Sequence, residues 1–202
     1  MIIIQNVSNM KNVILIVLFI SFLSGCDNSA KKSDASEHEH HQTNIEETKV
    51  KSKSPKSMAM ATLGENHIHI DYSSPSVRGR VIYGGLVAYG AVWSTGAHKA
   101  TSVEFQQAVI INETTIPAGK YGFFTIPGQE KWTIILSKDW DMHLADEYRP
   151  ENDVIRFEVT PEKLNDPAES LMYEVKETSP DIGRFSMSWS DVKVSFDIKS
   201  VK

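Results

Sequence analysis

Residues 121–136 read YGFFTIPGQEKWTIIL, and this stretch decides the fold class. Two apolar segments, residues 121–126 and 132–136, flank Pro127-Gly128-Gln129-Glu130, which is rich in turn-forming residues. Short aromatic and β-branched runs on both sides of such a turn are typical of a β-hairpin. The stretch therefore predicts two antiparallel strands.

Strand signals continue on both sides of this hairpin. In residues 66–72 and 192–198 apolar and polar residues alternate, which is the pattern of a strand with one buried face. Pro117-Ala118-Gly119 and Ser190-Asp191 predict further turns. Other apolar segments lie at residues 103–111, 153–160, 171–175 and 185–189.

Two segments depart from this strand pattern. Residues 72–101 are long, glycine-rich and without periodicity, and only residues 138–148 have helix-like content. Many short strands separated by turns favour an all-β fold. We predict an antiparallel β-sandwich or open barrel with one long irregular loop and at most one short helix.

The N-terminal residues predict export. Lys11 begins a polar start, residues 13–23 form a short apolar run, and Leu23-Ser24-Gly25-Cys26 follows. This order is typical of a secretory signal, and the run is too short to cross a bilayer. The tetrapeptide resembles the bacterial lipobox, which implies cleavage before Cys26 and its lipidation with fatty acids such as palmitate. We expect Met10 to be the better start codon, because it would put Lys11 at position two.

Three regions follow from these patterns: a signal peptide at residues 1–25, a lipidated cysteine with a flexible tether at 26–60, and one β-rich domain at 61–202. The tether is rich in His, Lys and Ser and holds few large apolar residues, so it cannot build a core. We expect the domain to lie outside the cytoplasm in the cell envelope, with the membrane as a partner through the lipid.

Charge and cysteine content exclude some classes of protein. The chain has a net charge of −5, which argues against nucleic acid as a partner. Its single cysteine rules out an intramolecular disulfide bond, so the domain must be stabilised by its core.

Several motifs resemble one known family. They are YSSPSVRGR (72–80), YGAVWSTGAHKAT (89–101), PAGKYGFFTIP (117–127) and KWTII (131–135), and together they resemble the Domain of Unknown Function 2911 family. The resemblance covers the chain from about Ala61 to its end. It implies an exported protein of a Bacteroidetes-type bacterium, often a lipoprotein, and it implies no activity.

The long loop supplies the main candidate site. Arginine guanidinium groups bind carboxylates and phosphates, and aromatic rings offer flat faces to sugars. Such groups on a loop between strands are a usual layout for binding a small anionic or sugar-like ligand, or another envelope component. The alternative is that these side chains only stabilise the loop. The candidates are Arg78, Arg80, Trp93, Thr95, His98 and Thr101.

A hydrolase is the second hypothesis. Residues 139–148 carry carboxylates, an imidazole and a phenol, which are the groups that general acid–base catalysis uses. His98 or His143 acting with Asp146 would be the catalytic set. A charged loop facing solvent is the alternative, and no recognisable catalytic motif accompanies these residues.

Metal handling is the third hypothesis. No cofactor is required by any motif, but zinc or copper could bind the histidines of the tether, His38, His40 and His41. In the first predicted strand of the domain His67 and His69 lie on the same face, and a third ligand would have to come from elsewhere.

Overall fold

More than half of the residues that the computed structural model describes, residues 52–201, form β-strands. The signal peptide, Cys26 and the histidines His38, His40 and His41 lie outside these described residues. In chain order the strands are β1 (Lys56–Leu63), β2 (Asn66–Ser73), β3 (Thr101–Phe105), β4 (Val109–Ile111), β5 (Thr114–Ile116), β6 (Gly119–Ile126), β7 (Trp132–Ser137), β8 (Asp153–Val159), β9 (Glu162–Ser179) and β10 (Ile182–Ser200).

The strands form two antiparallel sheets. The six-stranded sheet has the order β1-β2-β3-β6-β7-β8, and the four-stranded sheet has the order β5-β4-β10-β9. All the strand pairs described in these sheets are antiparallel. The two sheets are separate and do not close into a barrel, so the predicted all-β sandwich is confirmed and the open barrel is set aside.

Aromatic side chains fill the space between the sheets. Phe123 of β6 lies 5.1 Å from Phe185 and 6.3 Å from Phe196, both on β10, as measured between ring centroids. Phe123 is fully buried and Phe185 nearly so. At one end of the sandwich Trp132 of β7 lies 4.9 Å from Tyr83 of the long loop. The core therefore ties strands of both sheets to the loop.

The predicted hairpin is formed by β6 and β7, with Phe123 opposite Leu136 and Phe124 opposite Ile135. Both faces of this hairpin are buried, because Phe124 and Ile135 belong to a second, smaller cluster on the outer face of the sheet. Burial of both faces explains why the stretch is continuously apolar rather than alternating.

The turn predicted at Ser190-Asp191 is wrong. Both residues lie inside the single long strand β10, and the pairing with β9 shifts in register on each side of Ser190. Ser190 has a φ of 55°, a value typical of turns and also of bulged strands. A β-bulge bends the strand here without ending it, so two predicted strands are one.

The folded domain begins before the predicted boundary. β1 starts at Lys56 and pairs with β2 along its whole length, so residues 56–60 belong to the sheet and not to the tether. In β1 the small alanines point inward and the longer side chains are exposed, so the strand lacks the large buried residues from which a core is predicted.

The predicted irregular loop is present between β2 and β3, and we call residues 74–100 the long loop. Residues 138–149, which we call the outer loop, form turns and no helix. A 3₁₀ turn at Pro150–Asn152 follows them. No helix within residues 52–201 has the length and apolar character needed to span a bilayer.

Phe123→Ala should lower the free energy of unfolding by about 3–5 kcal/mol, because it leaves a cavity between the two sheets. Urea unfolding followed by circular dichroism measures this change. Val81→Ala is the control, since Val81 is 73% exposed and should change stability by less than about 0.5 kcal/mol. Equal effects of the two substitutions would contradict the assigned core.

Candidate functional site

The two arginines of the predicted binding set contact the backbone of the chain itself. The Arg80 guanidinium donates hydrogen bonds to the carbonyls of Val77 (3.0 Å) and Ser76 (2.6 Å). The Arg78 side chain donates to the carbonyl of Lys53. Both side chains therefore hold the start of the long loop in place, which is the structural alternative considered for them.

Thr95 and Thr101 lie in the interior, and Trp93 is half-buried against the core. The Trp93 ring stacks on Trp189 with 5.7 Å between centroids. Thr95 and Thr101 are fully buried, and the Thr95 carbonyl accepts hydrogen bonds from Thr101 Oγ1 (3.0 Å) and from the Tyr173 hydroxyl (2.6 Å). The structure brings these three residues together as part of the core and of the loop that covers it.

The histidines lie where the long loop meets the outer loop. The carbonyl of His98 accepts a hydrogen bond from the Leu144 N–H (2.7 Å), but within residues 52–201 the His98 imidazole has no hydrogen-bond partner. The imidazole of His143 contacts Asp146 instead, with 2.8 Å between Nδ1 and Oδ2. Both side chains of that pair are about two-thirds exposed.

Two polar networks hold the ends of the outer loop. The Arg149 guanidinium donates to both carboxylate oxygens of Asp139, and Asn152 donates to Asp139 Oδ2 (2.8 Å). These hydrogen bonds, the one from Arg149 first, hold the pKa of the Asp139 carboxyl below its usual range. Such charge-assisted bonds are stronger than neutral ones, so the loop begins at a fixed position.

The second network lies at the end of the same loop. The Tyr148 hydroxyl donates to the Asp153 carboxylate (2.7 Å) and accepts from Arg156 Nη2 (2.7 Å). Burial, and then the hydrogen bond to Asp153, raises the pKa of Tyr148 to about 12. The phenol therefore remains protonated at neutral pH and keeps donating to Asp153.

The middle of the outer loop lies directly on the sheet. Met142 is buried against Phe124 and Ile135 on the outer face. At Gly122 a Cβ atom would come within 2.2 Å of the Asp139 carbonyl oxygen and 2.6 Å of a Phe124 ring carbon. Glycine at position 122 is therefore required for the loop to approach the sheet so closely.

A groove of about 470 Å³ opens between the outer loop and the outer face of β1–β3 and β6. Lys120 Nζ lies 3.1 Å from Asp71 Oδ2 and 4.9 Å from the centroid of the Trp140 ring. We call it the lysine groove, and its lining includes Lys56, Lys99, Lys120, Asp71, Asp141, Tyr72 and Trp140.

A second cavity, of about 640 Å³, lies on the other side of Trp140. Its lining includes four acidic residues, Asp139, Asp141, Asp146 and Glu147, and two basic ones, Lys138 and Arg149. Trp140 and Asp141 border both cavities, so the outer loop separates an acidic cavity from one that holds three lysines.

The histidines of β2 share the outer face of the sheet, as their spacing predicts. His67 Nδ1 lies 3.0 Å from Thr62 Oγ1 on β1, and His69 is opposite Met60. Within residues 52–201 no three His, Cys, Asp or Glu side chains converge where they could hold a metal ion. A third ligand of those types for His67 and His69 is therefore not provided by the described part of the chain.

Sequence reasoning missed Lys56, Lys120 and Trp140 as site residues. The two-residue period of a strand was an available signal, because it places the side chains of Lys120 and Phe124 and the position of Gly122 on one face of β6. The signal is incomplete, since nothing in the sequence indicates that residues 138–149 cover this face. Lys56 was missed because it was assigned to the tether.

Gly122→Ala should displace the outer loop and lower stability by about 1–3 kcal/mol, as overpacking does. Hydrogen exchange should show faster exchange of amides in residues 138–149. Gly90→Ala is the control, because a Cβ at Gly90 meets no atom within 4 Å, although its φ of 73° adds backbone strain. Unchanged protection of the outer loop in Gly122→Ala would contradict the close contact with Asp139.

Asp139→Asn should lower stability more at pH 7 than at pH 2. The pKa of Asp139 is lower in the folded state than the usual value of about 3.9, so its contribution is present above that value and is lost as pH falls through the folded-state pKa. Urea unfolding at both pH values measures the difference. Asp197→Asn, which removes an exposed ion pair with Arg184, is the control. A loss of stability in Asp139→Asn that is the same at both pH values would refute the argument.

The comparisons with known proteins identify the family of the chain, and they assign no activity or ligand to it. No curated protein and no solved structure matches the chain. A family model described as a protein of unknown function matches residues 54–198, which is most of the chain and nearly all of the described domain. The chain therefore belongs to the DUF2911 family.

Proposed function

We propose that the domain is a binding module for a small anionic ligand, such as a carboxylated or phosphorylated sugar, held in the lysine groove. One observation carries the proposal: three lysines and an exposed indole ring line a single groove. The chain as a whole is acidic, with a net charge of −5, so this local excess of positive charge stands out.

The lysines of the groove can exchange their aspartate partners for an incoming anion. Lys99 Nζ lies 2.5 Å from Asp141 Oδ1, and Lys120 pairs with Asp71. Lys56 forms no ion pair with any residue in the described range. The two aspartates leave one net positive charge, and the exposed pairs with them are weak enough for a ligand carboxylate or phosphate to compete.

The apolar part of the groove suits the ring of a sugar. Trp140 is 39% exposed, and the half-buried Tyr72, whose ring lies 4.7 Å from that of Tyr173, also lines the groove. Aromatic faces of this kind pack against the apolar face of a saccharide while lysines bind its acidic group. A volume of about 470 Å³ falls within the usual range for small-molecule sites.

The proposal includes the location of the domain. Cys26 would carry the lipid that anchors the protein to a membrane, outside the cytoplasm, and the residues before β1 would form the tether. More than one acyl chain gives stable anchoring, so the domain would need no membrane-binding surface of its own. Its groove would then be free to meet a soluble ligand or another envelope component.

The two alternatives have less support. The His143–Asp146 pair is the single contact that favours a hydrolase, and its exposure provides none of the water-excluded surroundings in which catalytic charges act strongly. Metal handling by His38, His40 and His41 concerns residues outside the described range, so it remains a prediction from composition.

Lys99→Gln combined with Lys120→Gln should weaken binding of an anionic sugar by tenfold or more, since hydrogen bonds to charged groups contribute about 1.5–3 kcal/mol. Titration of the protein with glucuronate, glucose 6-phosphate and neutral glucose, followed through the Trp140 indole NMR signal, measures the affinities. Trp140→Ala removes this reporter, so its affinities are measured by calorimetry, and it should lose the stacking contribution for all three.

The matched control for the lysines is Lys131→Gln, which removes an exposed lysine paired with Glu158 outside the groove. This variant should bind as the unchanged protein does. The proposal fails if neither anionic sugar shifts the Trp140 signal, or if the double lysine variant binds with unchanged affinity.

A further inference from the structure

The outer face of β1 has an inverted pattern of side chains. The small residues Ala59 and Ala61 point inward, while Met58 and Met60 are 57% and 67% exposed. A strand that packs on a core normally buries its large apolar residues and exposes small or polar ones. Packing therefore offers no reason for two thioethers side by side on this surface.

The strand register brings a histidine to the same place. Met60 is opposite His69 of β2, and Met58 is opposite Asp71. Residues two apart on a strand are roughly 6.6 Å apart, and directly opposite residues have Cβ atoms about 4.5–5.5 Å apart. The long, unbranched methionine side chains can therefore bring both sulfur atoms to the His69 imidazole.

Two thioethers and one imidazole form a soft set of donors. Thioether sulfur selects Cu(I) over the harder divalent ions, and imidazole suits copper as well. The absence of a His, Cys, Asp or Glu trio among residues 52–201 argues against a site for zinc, but it leaves thioether donors open.

The neighbouring side chains leave His69 available. His67, two residues before it, already has a partner in the Thr62 hydroxyl. Glu104 of β3 is opposite His69 on the other side in the strand register. No hydrogen bond or ion pair within residues 52–201 occupies the His69 imidazole.

We infer that Met58, Met60 and His69 form a Cu(I) site on the outer face of β1 and β2. This site does not use the histidines of the tether. Met58 also lines the lysine groove, but none of the three lysines of the groove is a copper donor, so the inference does not rest on anion binding there. Solvent can reach it, since both methionines are exposed. Copper can therefore enter and leave without opening of the fold.

Competition between the full-length protein and bathocuproine disulfonate for Cu(I), under anaerobic conditions, tests the inference. The unchanged protein should bind one Cu(I). Met58→Leu combined with Met60→Leu should lower the affinity by about tenfold or more, equivalent to at least about 1.4 kcal/mol, and His69→Gln should do the same. Leucine keeps the volume of methionine but not its sulfur, so thermal unfolding should change little.

Two controls separate this site from other donors. Met172→Leu removes a methionine of β9 that is 54% exposed, and it should leave Cu(I) affinity unchanged. Replacement of His38, His40 and His41 by alanine should also leave it unchanged. The inference is overturned if the unchanged protein binds no Cu(I), if the double methionine variant binds equally well, or if only loss of the tether histidines abolishes binding.

Discussion

The contact between the Asp139 carbonyl and Gly122 is the constraint on which the candidate site depends. It places the outer loop directly on the six-stranded sheet, where Met142 covers Phe124 and Ile135. Any larger residue at position 122 would hold the loop away from the sheet. With the loop in place, the hairpin β6–β7 is buried on both faces, and Trp140 is carried to the rim of the lysine groove.

The polar networks at the two ends of the outer loop complete this arrangement. Arg149 and Asn152 hold Asp139 at one end, and Tyr148 connects to Asp153 and Arg156 at the other. A loop fixed at both ends and buried in the middle presents its remaining side chains in defined positions. Binding sites need such a rigid support, because ordering a mobile loop would cost part of the binding free energy.

Much of the fold follows from local patterns in the sequence. The turn in residues 121–136 predicts two paired strands, and the alternation in β2 shows which of its faces is buried, so together they favour a sandwich. The bulge at Ser190 was not predictable, since a serine beside an aspartate is typical of turns as well as of bulges. Only the pairing with β9 distinguishes the two, and that pairing is a tertiary feature.

The candidate site was less predictable than the fold. Arg78, Arg80 and Trp93 have the residue types of a binding site, but composition does not show that their polar groups contact backbone carbonyls of the chain itself. Lys56, Lys99 and Lys120 come from three separate parts of the chain, and only the docked outer loop and the sheet register bring them to one groove. Long-range convergence of this kind leaves no local signal.

In β1 the pattern of exposed and buried side chains conflicts with the place of the strand in the sheet. This conflict misleads prediction from the sequence, and it is also informative. The polar composition of residues 26–60 predicts a tether up to residue 60, although pairing with β2 makes residues 56–60 part of a regular strand with outward methionines and inward alanines. Natural sequences are locally consistent with their fold in most places, and conflicts concentrate at functional positions. The conflict in β1 coincides with His69 on the neighbouring strand, and Met58 also borders the lysine groove. Core packing does not require the outward Met58 and Met60, and the proposed Cu(I) site would give them a role.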